Sequence, residues 1–425
     1  MDAAVYRRTR GWSFTTPGGK RFLPDPTMFA VYSPSGNQWR KLMYFPDDWR
    51  SVNLLISMYD IYSADPSILR EMCRLGIRGH MASLSYRMAI RLRQSDLPQY
   101  QSYCGYTDPS RPFPHWGLIM LDSGGFSFGH PGKLIPLLQS PVPPIRRFAR
   151  LLLAVAGLET ETRGWNRARF ERLARLAQRL HLRMQLRLQP DIIVTLDRVM
   201  HFDLPYRVKS RRVWFNLTCA RTALELYART PDPKPLLFPV VHPLGPPPAA
   251  IGTKLSPEQA REFYARTFAL QLRYLLRAEK ETGTNFGGFA VGSLVPVTNY
   301  AFLEVLASAL AQALRKLGVG RRPLHAFGAA DRKAVFLSRY GFTSFDTNLH
   351  VVKARSRQIY DPASGIYRKK ELPTSCTCPV CRRHPPQELV EDRPGVKEVA
   401  TVLQSLHNFY TNHLAHLKTI QKLRK

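Results

Sequence analysis

The chain has 425 residues, with 62 lysines and arginines against 31 aspartates and glutamates, and a formal net charge of +31. Its hydrophobic content of 44% is enough for a sizeable core, which excludes an intrinsically disordered protein. The charge is larger than solubility requires, and it favours a polyanionic partner, most simply nucleic acid.

The first 45 residues are rich in arginine, proline and aromatic residues and predict an irregular basic extension (1–45). No apolar run reaches the length of a signal peptide or a membrane span, so no membrane partner is expected. Six cysteines in a chain of this length do not indicate a disulfide framework. Cys73, Cys104 and Cys219 are each expected to be small core residues, and the compartment is expected to be reducing and cytoplasmic.

Short apolar runs alternate with helical patterns after this extension. Seven runs predict strands: NLLISMYD (53–60), LIMLDSGG (118–125), DIIVTLD (191–197), LLFPVVH (236–242), FGGFAVGS (286–293), PLHAFG (323–328) and SFDT (344–347). HMASLSY (80–86) is a weaker eighth. This alternation predicts the α/β class, with a (β/α)8 TIM barrel over residues 46–370. An open doubly wound sheet is the alternative.

Four of these runs end on a carboxylate: Asp60, Asp122, Asp197 and Asp346. The C-terminal ends of barrel strands form one face, where active sites of such barrels lie. A single aspartate could only cap a turn, but several that converge on one rim indicate an enzyme.

The segment RARFERLARLAQRLHLRMQLRLQ (167–189) predicts a helix with a basic face formed by Arg172, Arg175, Arg179 and Arg183. No acidic partner is expected to offset these charges, so phosphates are the natural counterpart. A solvated amphipathic helix packed on the barrel is the alternative. Lys353, Arg355 and Arg357 form a further basic segment.

Two other helices have clear end signals. Ser256 is the expected N-cap of the first, which has Glu258 in its first turn. The helix that begins near residue 301 is expected to end at Gly318 or Gly320.

Cys376, Cys378 and Cys381 supply three soft ligands within six positions. A tetrahedral structural zinc needs a fourth ligand, and His384 and His407 are both candidates. One structural zinc per chain is therefore predicted, within a zinc-binding subdomain and closing C-terminal helix at 371–425.

These motifs resemble the tRNA-guanine transglycosylase family. CTCPVC, followed 26 residues after its last cysteine by the histidine of LHN, is similar to the zinc site of the family and implies His407 as the fourth ligand. Four other family motifs follow in order: LDSGGF (121–126), PDIIVTLD (190–197), GGFAVGSLVP (287–296) and SFDTNLHVVKARSRQIY (344–360). The resemblance runs from about residue 115 to 415.

The resemblance implies an exchange of guanine for a 7-deazaguanine base, with cleavage of the C1′–N9 bond and retention. Asp346 matches the nucleophile and Asp122 its general acid/base partner. Asp197 matches the carboxylate that binds N1 and N2 of guanine, although it could also be a structural cap of its strand. The remaining matched residues concern the base: Phe126 stacks on it, and Ser123, Gly292 and Ser293 line its pocket.

Four positions depart from the family pattern. His242 stands near the pocket glutamine and could instead be a satisfied core histidine, and Ser293 replaces a glycine. Val199 stands where bacterial enzymes carry a cysteine, and Thr298 stands near a glutamate that accepts an aminomethyl group. Without that glutamate the neutral 7-cyano-7-deazaguanine (preQ0) is favoured as the incoming base.

The chain most resembles the DNA-modifying branch of the family, because it has a basic N-terminal extension and an arginine-rich helix, and because no C-terminal RNA-binding domain is expected after the zinc-binding subdomain. This branch implies DNA as the partner and a partner ATPase from the same modification cluster. A tRNA-guanine transglycosylase is the first alternative. An inactive nucleic-acid-binding paralogue is the second, against which the presence of both Asp122 and Asp346 argues.

Overall fold

The computed structural model describes residues 6–8, 11–17, 19–32, 53–59, 118–140, 142–161, 164–188, 190–329, 331–369, 376–391 and 397–423. Asp60, Cys73, Cys104 and the run at 80–86 lie outside these residues.

A closed barrel of parallel strands dominates the fold and confirms the predicted class. Every pair of neighbouring barrel strands in the described residues is parallel. In chain order the strands are β4 (Thr27–Tyr32), β5 (Leu54–Ser57), β6 (Ile119–Asp122), β7 (Ile192–Val194), β8 (Leu236–Phe238) with β9 (Val240–Val241), β10 (Phe289–Val291), β11 (Leu324–Ala326) and β12 (Ser344–Thr347).

The barrel closes at two places. β12 pairs with β4, so that Asp346 lies beside Phe29. β8 and β9 are two halves of one strand separated by Pro239, which has no N–H to donate. The β8–β9 strand pairs with β7 along its first half and with β10 along its second half. With β8 and β9 counted as one strand, the described residues form a ring of eight strands.

Alternation along the strands divides the core into an inner and an outer part. The inner cluster contains Phe29, Met120, Val194 and Phe238, from four different strands. Residues of the opposite parity, such as Met28, face the helices that surround the barrel. Asp122 and Asp346 share the parity of the inner residues Met120 and Ser344, so they project over the barrel mouth.

The expected irregular extension at 1–45 is wrong for much of its length. An antiparallel sheet precedes the barrel, with β1 (Tyr6–Arg8), β2 (Gly11–Thr16) and β3 (Gly19–Pro24). Trp12, Phe14 and Leu23 of this sheet pack on the inner cluster and close the lower end of the barrel. β4 then forms the first barrel strand, so the barrel begins before residue 46. The arginines and prolines of this region conceal the alternation of apolar residues that builds its strands.

Asp191 ties this sheet to the barrel. Its carboxylate accepts hydrogen bonds from Arg21 Nε at 2.8 Å, from Thr16 Oγ1 at 3.0 Å and from the Ile119 N–H at 2.9 Å. Burial raises the pKa of Asp191, and the neighbouring Arg21 opposes this shift.

Helices surround the barrel, as expected. They are α1 (Gly125–Phe128), α2 (Pro131–Leu138), α3 (Pro143–Thr160), α4 (Arg167–Leu188), α5 (Tyr206–Tyr227), α6 (Pro257–Thr282), α7 (Tyr300–Lys316), α8 (Asp331–Ser338) and α9 (Leu349–Arg355). Ser256 caps α6 in a capping box with Gln259, as its sequence predicts. Gly318, just after α7, has a positive φ of 72°, which is typical of a helix stop.

A C-terminal unit packs on the last barrel elements. It contains the hairpin β13 (Gln358–Asp361) and β14 (Ile366–Lys369), and the helices α10 (Pro379–Arg383), α11 (Pro386–Val390), α12 (Lys397–Asn408) and α13 (Leu414–Leu423). A π-helical turn at Phe409–His413 joins α12 to α13. α12 packs against α9 and β13, and α13 packs against α8.

Among the described residues, no helix is both long and apolar enough to cross a membrane.

Candidate active site and metal centre

Three aspartates meet at the C-terminal rim of the barrel. Asp122 ends β6, Asp346 lies in β12, and Asp197 follows β7 by three residues. Burial, together with the negative charges of Asp197 and Asp346, raises the pKa of Asp122 to about 8. Asp122 therefore favours its protonated form at neutral pH. The structure brings together three of the four strand-end carboxylates that the sequence singles out, and the fourth, Asp60, lies outside the described residues.

Ser123 connects two of these carboxylates. Its Oγ hydrogen-bonds closely to Asp197 Oδ1 and lies 3.3 Å from Asp122 Oδ1. The hydroxyl has a single hydrogen, and the closer contact assigns it to Asp197. A protonated Asp122 can then donate to Ser123 Oγ.

Asp346 is held at one oxygen. Its Oδ1 accepts a hydrogen bond from the Gly328 N–H at 2.8 Å and lies 3.3 Å from His325 Nε2. His325 is fully buried, and its Nδ1 lies 3.0 Å from Ser344 Oγ. The neighbouring register of His325 and Ser344 on β11 and β12 explains this contact. The contacts at Oδ1 orient the carboxylate over the barrel mouth.

Sequence reasoning missed His325 and Gly328. The signal that could have found them is strand register, because residues at the same height and parity on adjacent strands face the same interior. It could be applied only once β11 was known to lie beside β12.

Asp197 is also held firmly. Its Oδ1 accepts from Ser123, and its Oδ2 lies 2.9 Å from His242 Nε2. A Cβ atom on Gly125 would lie 2.2 Å from Oδ1, so only glycine allows this approach of α1 to the carboxylate. Asp197 is 4% exposed. It is therefore more than a cap on its strand, because it is the centre of a hydrogen-bonded network at the rim.

His242 has no exposed surface, and both of its ring nitrogens have partners. Nε2 contacts Asp197, and Nδ1 lies 2.9 Å from Ser293 Oγ. A Cβ atom on Gly292 would lie 2.3 Å from Cε1 of this ring. This geometry matches the alternative of a satisfied histidine and makes His242 a support for Asp197.

Phe126 lies in α1, directly after Gly125, but its side chain is outside the described part of the structure. Its stacking on a base stays a prediction.

The basic face of α4 forms with its arginines exposed at positions 172, 175, 179 and 183. The expectation that this face has no acidic partner is wrong at one position, because Arg175 Nη2 lies 3.2 Å from Glu171 Oε2. Glu171 also pairs with Arg167 and accepts a hydrogen bond from Trp214 Nε1. Three arginines of the predicted set, Arg172, Arg179 and Arg183, have no such ion pair within the described residues.

The second basic segment lies at the end of α9, close to the nucleophile candidate in sequence. Lys353 Nζ lies 5.0 Å from the ring centre of Tyr367, and Arg357 Nη1 donates to the Glu391 carbonyl at 3.3 Å. Arg355 is exposed. Two of these three side chains thus have roles within the protein.

Cys376, Cys378, Cys381 and His407 form a group that could hold a metal ion, with all four ligand atoms within 4.8 Å of one another. His407 Nε2 lies 2.7 Å from the Tyr360 carbonyl oxygen, so it donates its proton there and leaves the Nδ1 lone pair for a metal. His384 is not in the group, and its Nδ1 contacts Glu388 at 2.9 Å.

Comparison with known proteins gives a family match and several partial relatives. The family model TGT, queuine tRNA-ribosyltransferase, matches residues 171–422. A tRNA-guanine(15) transglycosylase of Pyrococcus furiosus is 34% identical over 139 residues, which are 32% of this chain and 23% of that protein. The tRNA-guanine(15) transglycosylase of Methanopyrus kandleri is 33% identical over 138 residues, which are 32% of this chain and 29% of the relative.

The alignments thus span about a quarter of the length of these curated relatives. The family model matches more than half of the chain and includes the stretches that carry Asp197, Asp346 and the cysteine group. The chain belongs to the queuine tRNA-ribosyltransferase (TGT) family.

Proposed function

We propose that this protein exchanges guanine in DNA for preQ0, through a covalent ester between Asp346 and the deoxyribose. The observation that carries the proposal is the meeting of Asp122, Asp197 and Asp346 at one rim, where burial and the two neighbouring carboxylates raise the pKa of Asp122 to about 8. Membership of the TGT family supports base exchange as the reaction class.

Asp346 is the proposed nucleophile. Attack by its carboxylate on C1′ forms an ester and breaks the C1′–N9 bond, whose electron pair leaves with guanine. The hydrogen bonds at Oδ1 support this role, since they orient the carboxylate before substrate binds. N9 of the incoming base then attacks C1′ and releases Asp346, and two displacements give net retention.

Asp122 is the proposed acid and base. The departing guanine needs a proton, and a carboxyl with a pKa of about 8 holds one at neutral pH. In the second step, Asp122 takes a proton from the incoming base and returns to its starting state. The roles of Asp122 and Asp346 thus follow from different environments.

Asp197 is the proposed reader of the base, through acceptance of hydrogen bonds from the N1–H and the 2-amino group. Ser123 and His242 support this role because they orient its two oxygens. Gly292 and Ser293 line the pocket in the same proposal, and Phe126 stacks on the base. A neutral nitrile as the incoming substituent is proposed because Thr298 stands near the position where a glutamate would accept a cationic aminomethyl group.

DNA is the proposed nucleic acid. The exposed arginines of α4 and the charge of +31 fit a phosphate backbone. Phosphate contacts do not distinguish DNA from RNA, so the choice rests on the resemblance to the DNA-modifying branch. A guanine in a duplex would have to leave the stack to reach the rim. A partner ATPase stays a prediction.

Exchange on tRNA is the alternative function. It is favoured by the similarity of this chain to tRNA-guanine(15) transglycosylases.

Zinc is the proposed metal, one per chain, with a structural role. The Sγ atoms of Cys376, Cys378 and Cys381 lie 3.8, 3.5 and 3.2 Å from His407 Nδ1. A tetrahedral site with Zn–S of about 2.3 Å and Zn–N of about 2.0 Å needs sulfur–nitrogen separations of about 3.5 Å. Four protein ligands leave no position for water, so zinc would join the cysteine loop to α12.

A base-exchange assay tests the function. The protein with labelled guanine is expected to label plasmid DNA and not tRNA, and with preQ0 to yield the modified deoxynucleoside by mass spectrometry. Asp346→Asn is expected to abolish exchange and the denaturation-resistant adduct, while binding changes less than about threefold because the side chain keeps its shape. Labelling of tRNA alone would establish the alternative, and labelling of neither would favour an inactive paralogue.

The acid role of Asp122 predicts a pH dependence. Asp122 is protonated below its raised pKa, so kcat/KM for exchange is expected to be flat below about pH 8 and to fall up to tenfold per unit above it. Asp122→Asn is expected to lose at least about a hundredfold in rate and to lose this limb. Glu262→Gln, an exposed change on α6, is the control and should keep the profile. If the fall of kcat/KM at alkaline pH persisted in Asp122→Asn, this pH dependence would belong to another group.

The metal proposal predicts that zinc and folded yield are lost together. Metal analysis of Cys378→Ser and His407→Ala is expected to show less than about a fifth of the wild-type zinc, because binding and folding are coupled. His384→Ala is the matched control and should retain one zinc per chain. If His407→Ala retained zinc and His384→Ala lost it, His384 and not His407 would be the fourth ligand.

The nucleic-acid surface predicts a change in salt dependence. Arg172, Arg179 and Arg183 replaced together by glutamine should reduce the slope of log K against log salt by about 2 to 3, since each phosphate contact contributes about 0.9. The matched control is the same change at Arg266, Arg273 and Arg277, which are exposed on α6. If the two triple variants changed the salt slope equally, or if the α4 variant did not change it, α4 would be a solvated amphipathic helix without a role in binding nucleic acid.

A further inference from the structure

Ser293 has an unusual backbone conformation. Its φ of 64° is in the left-handed region, which residues other than glycine seldom adopt, and the residue is only 4% exposed. Strain of this kind persists where surrounding contacts hold it. Here the contacts are made by Oγ, which accepts from the Met200 N–H at 2.8 Å and lies 2.9 Å from His242 Nδ1.

The hydrogen atoms of this network can be assigned. Ser293 Oγ uses one lone pair for the Met200 N–H, and its own hydrogen points to His242 Nδ1. Nδ1 must then be unprotonated, so a neutral His242 carries its proton on Nε2 and donates it to Asp197 Oδ2 at 2.9 Å. Every polar atom in this row then has a compatible partner.

The other protonation states fit less well. A proton on Nδ1 alone would direct the Nε2 lone pair at the Asp197 carboxylate. A doubly protonated ring would place a charge on a side chain with no exposed surface and leave the Ser293 hydrogen without this acceptor. The His242 ring cannot readily rotate to other partners, because Gly292 lies against its Cε1 atom. The backbone of His242 is also held, since its N–H donates to Gln271 Oε1 and its carbonyl accepts from Gln271 Nε2.

We propose that Ser293 is a positioning residue that keeps His242 neutral, with its proton on Nε2. His242 then donates to Asp197 without neutralising it, and Asp197 keeps the full negative charge with which it accepts the donors of the base. The inference rests on the proposed role of Asp197 in reading guanine. It makes Ser293 a determinant of selectivity for bases with a 2-amino group over hypoxanthine, which lacks this donor.

A spectroscopic experiment tests the protonation state without any assay. Protein with 15N-labelled histidine rings is compared as wild type and Ser293→Ala, and His242→Gln identifies the His242 signals. The wild type is expected to show an unprotonated Nδ1 and a protonated Nε2, and Ser293→Ala is expected to show protonation at Nδ1. His325 is the internal control, since it has its own serine and aspartate partners and should not change.

A double-mutant cycle tests the effect on selectivity. Ser293→Ala is expected to raise KM for guanine about tenfold with little change in kcat, and to reduce the preference for guanine over hypoxanthine by a similar factor. The side chain introduced by His242→Gln can donate a hydrogen bond to Asp197 but cannot become charged. In the His242→Gln background the further change Ser293→Ala should therefore cost less than about twofold.

Three results would overturn the inference. They are a protonated Nδ1 in the wild type, an unchanged His242 ring in Ser293→Ala, and an equal cost of Ser293→Ala in both backgrounds, which would indicate a structural role of the turn alone. The outcome is separable from the proposed function. If the wild type exchanged no guanine, that function would fail, while the ring spectra would still decide the state of His242.

Discussion

Burial of Asp122 beside two other carboxylates at one barrel rim is the constraint on which the rest of the site depends. Burial raises the pKa of Asp122 to about 8, and the negative charges of Asp197 and Asp346 add to this shift. The proposed division of these similar side chains into an acid and two anions depends on this difference in environment. A barrel provides this geometry because all of its strands direct their C-terminal ends to one face.

The two aspartates proposed to act as anions are supported in a similar way. Asp197 is hydrogen-bonded to His242, which contacts Ser293 in turn. In the same way, Asp346 contacts His325, whose other ring nitrogen contacts Ser344. Both histidines are fully buried, where a neutral ring costs less than a charged one. Such supports fix the direction of a carboxylate before a substrate arrives, which reduces the cost of orienting it for binding or attack.

Much of the architecture could be predicted from local pattern. The seven apolar runs become barrel strands, and Ser256 caps α6, because alternation and capping depend on neighbouring residues. The prediction of an irregular segment was wrong at residues 11–32, where arginines and prolines concealed two strands of the small sheet and the first strand of the barrel. The expectation of no acidic partner was also wrong at Arg175, whose partner Glu171 lies four residues earlier on the same helix and could have been identified from the spacing.

The sequence by itself determined the strand periodicity, the cysteine group and the aspartates at strand ends, since each is encoded within a few residues of chain. Only the tertiary structure decided which side chains meet. The closure of β12 on β4, the place of Trp12 beneath the barrel, and the bonding of Ser293 to His242 all join residues far apart in sequence. The protonation of Asp122 belongs to this second group, because a pKa depends on burial and on charges that the fold brings near.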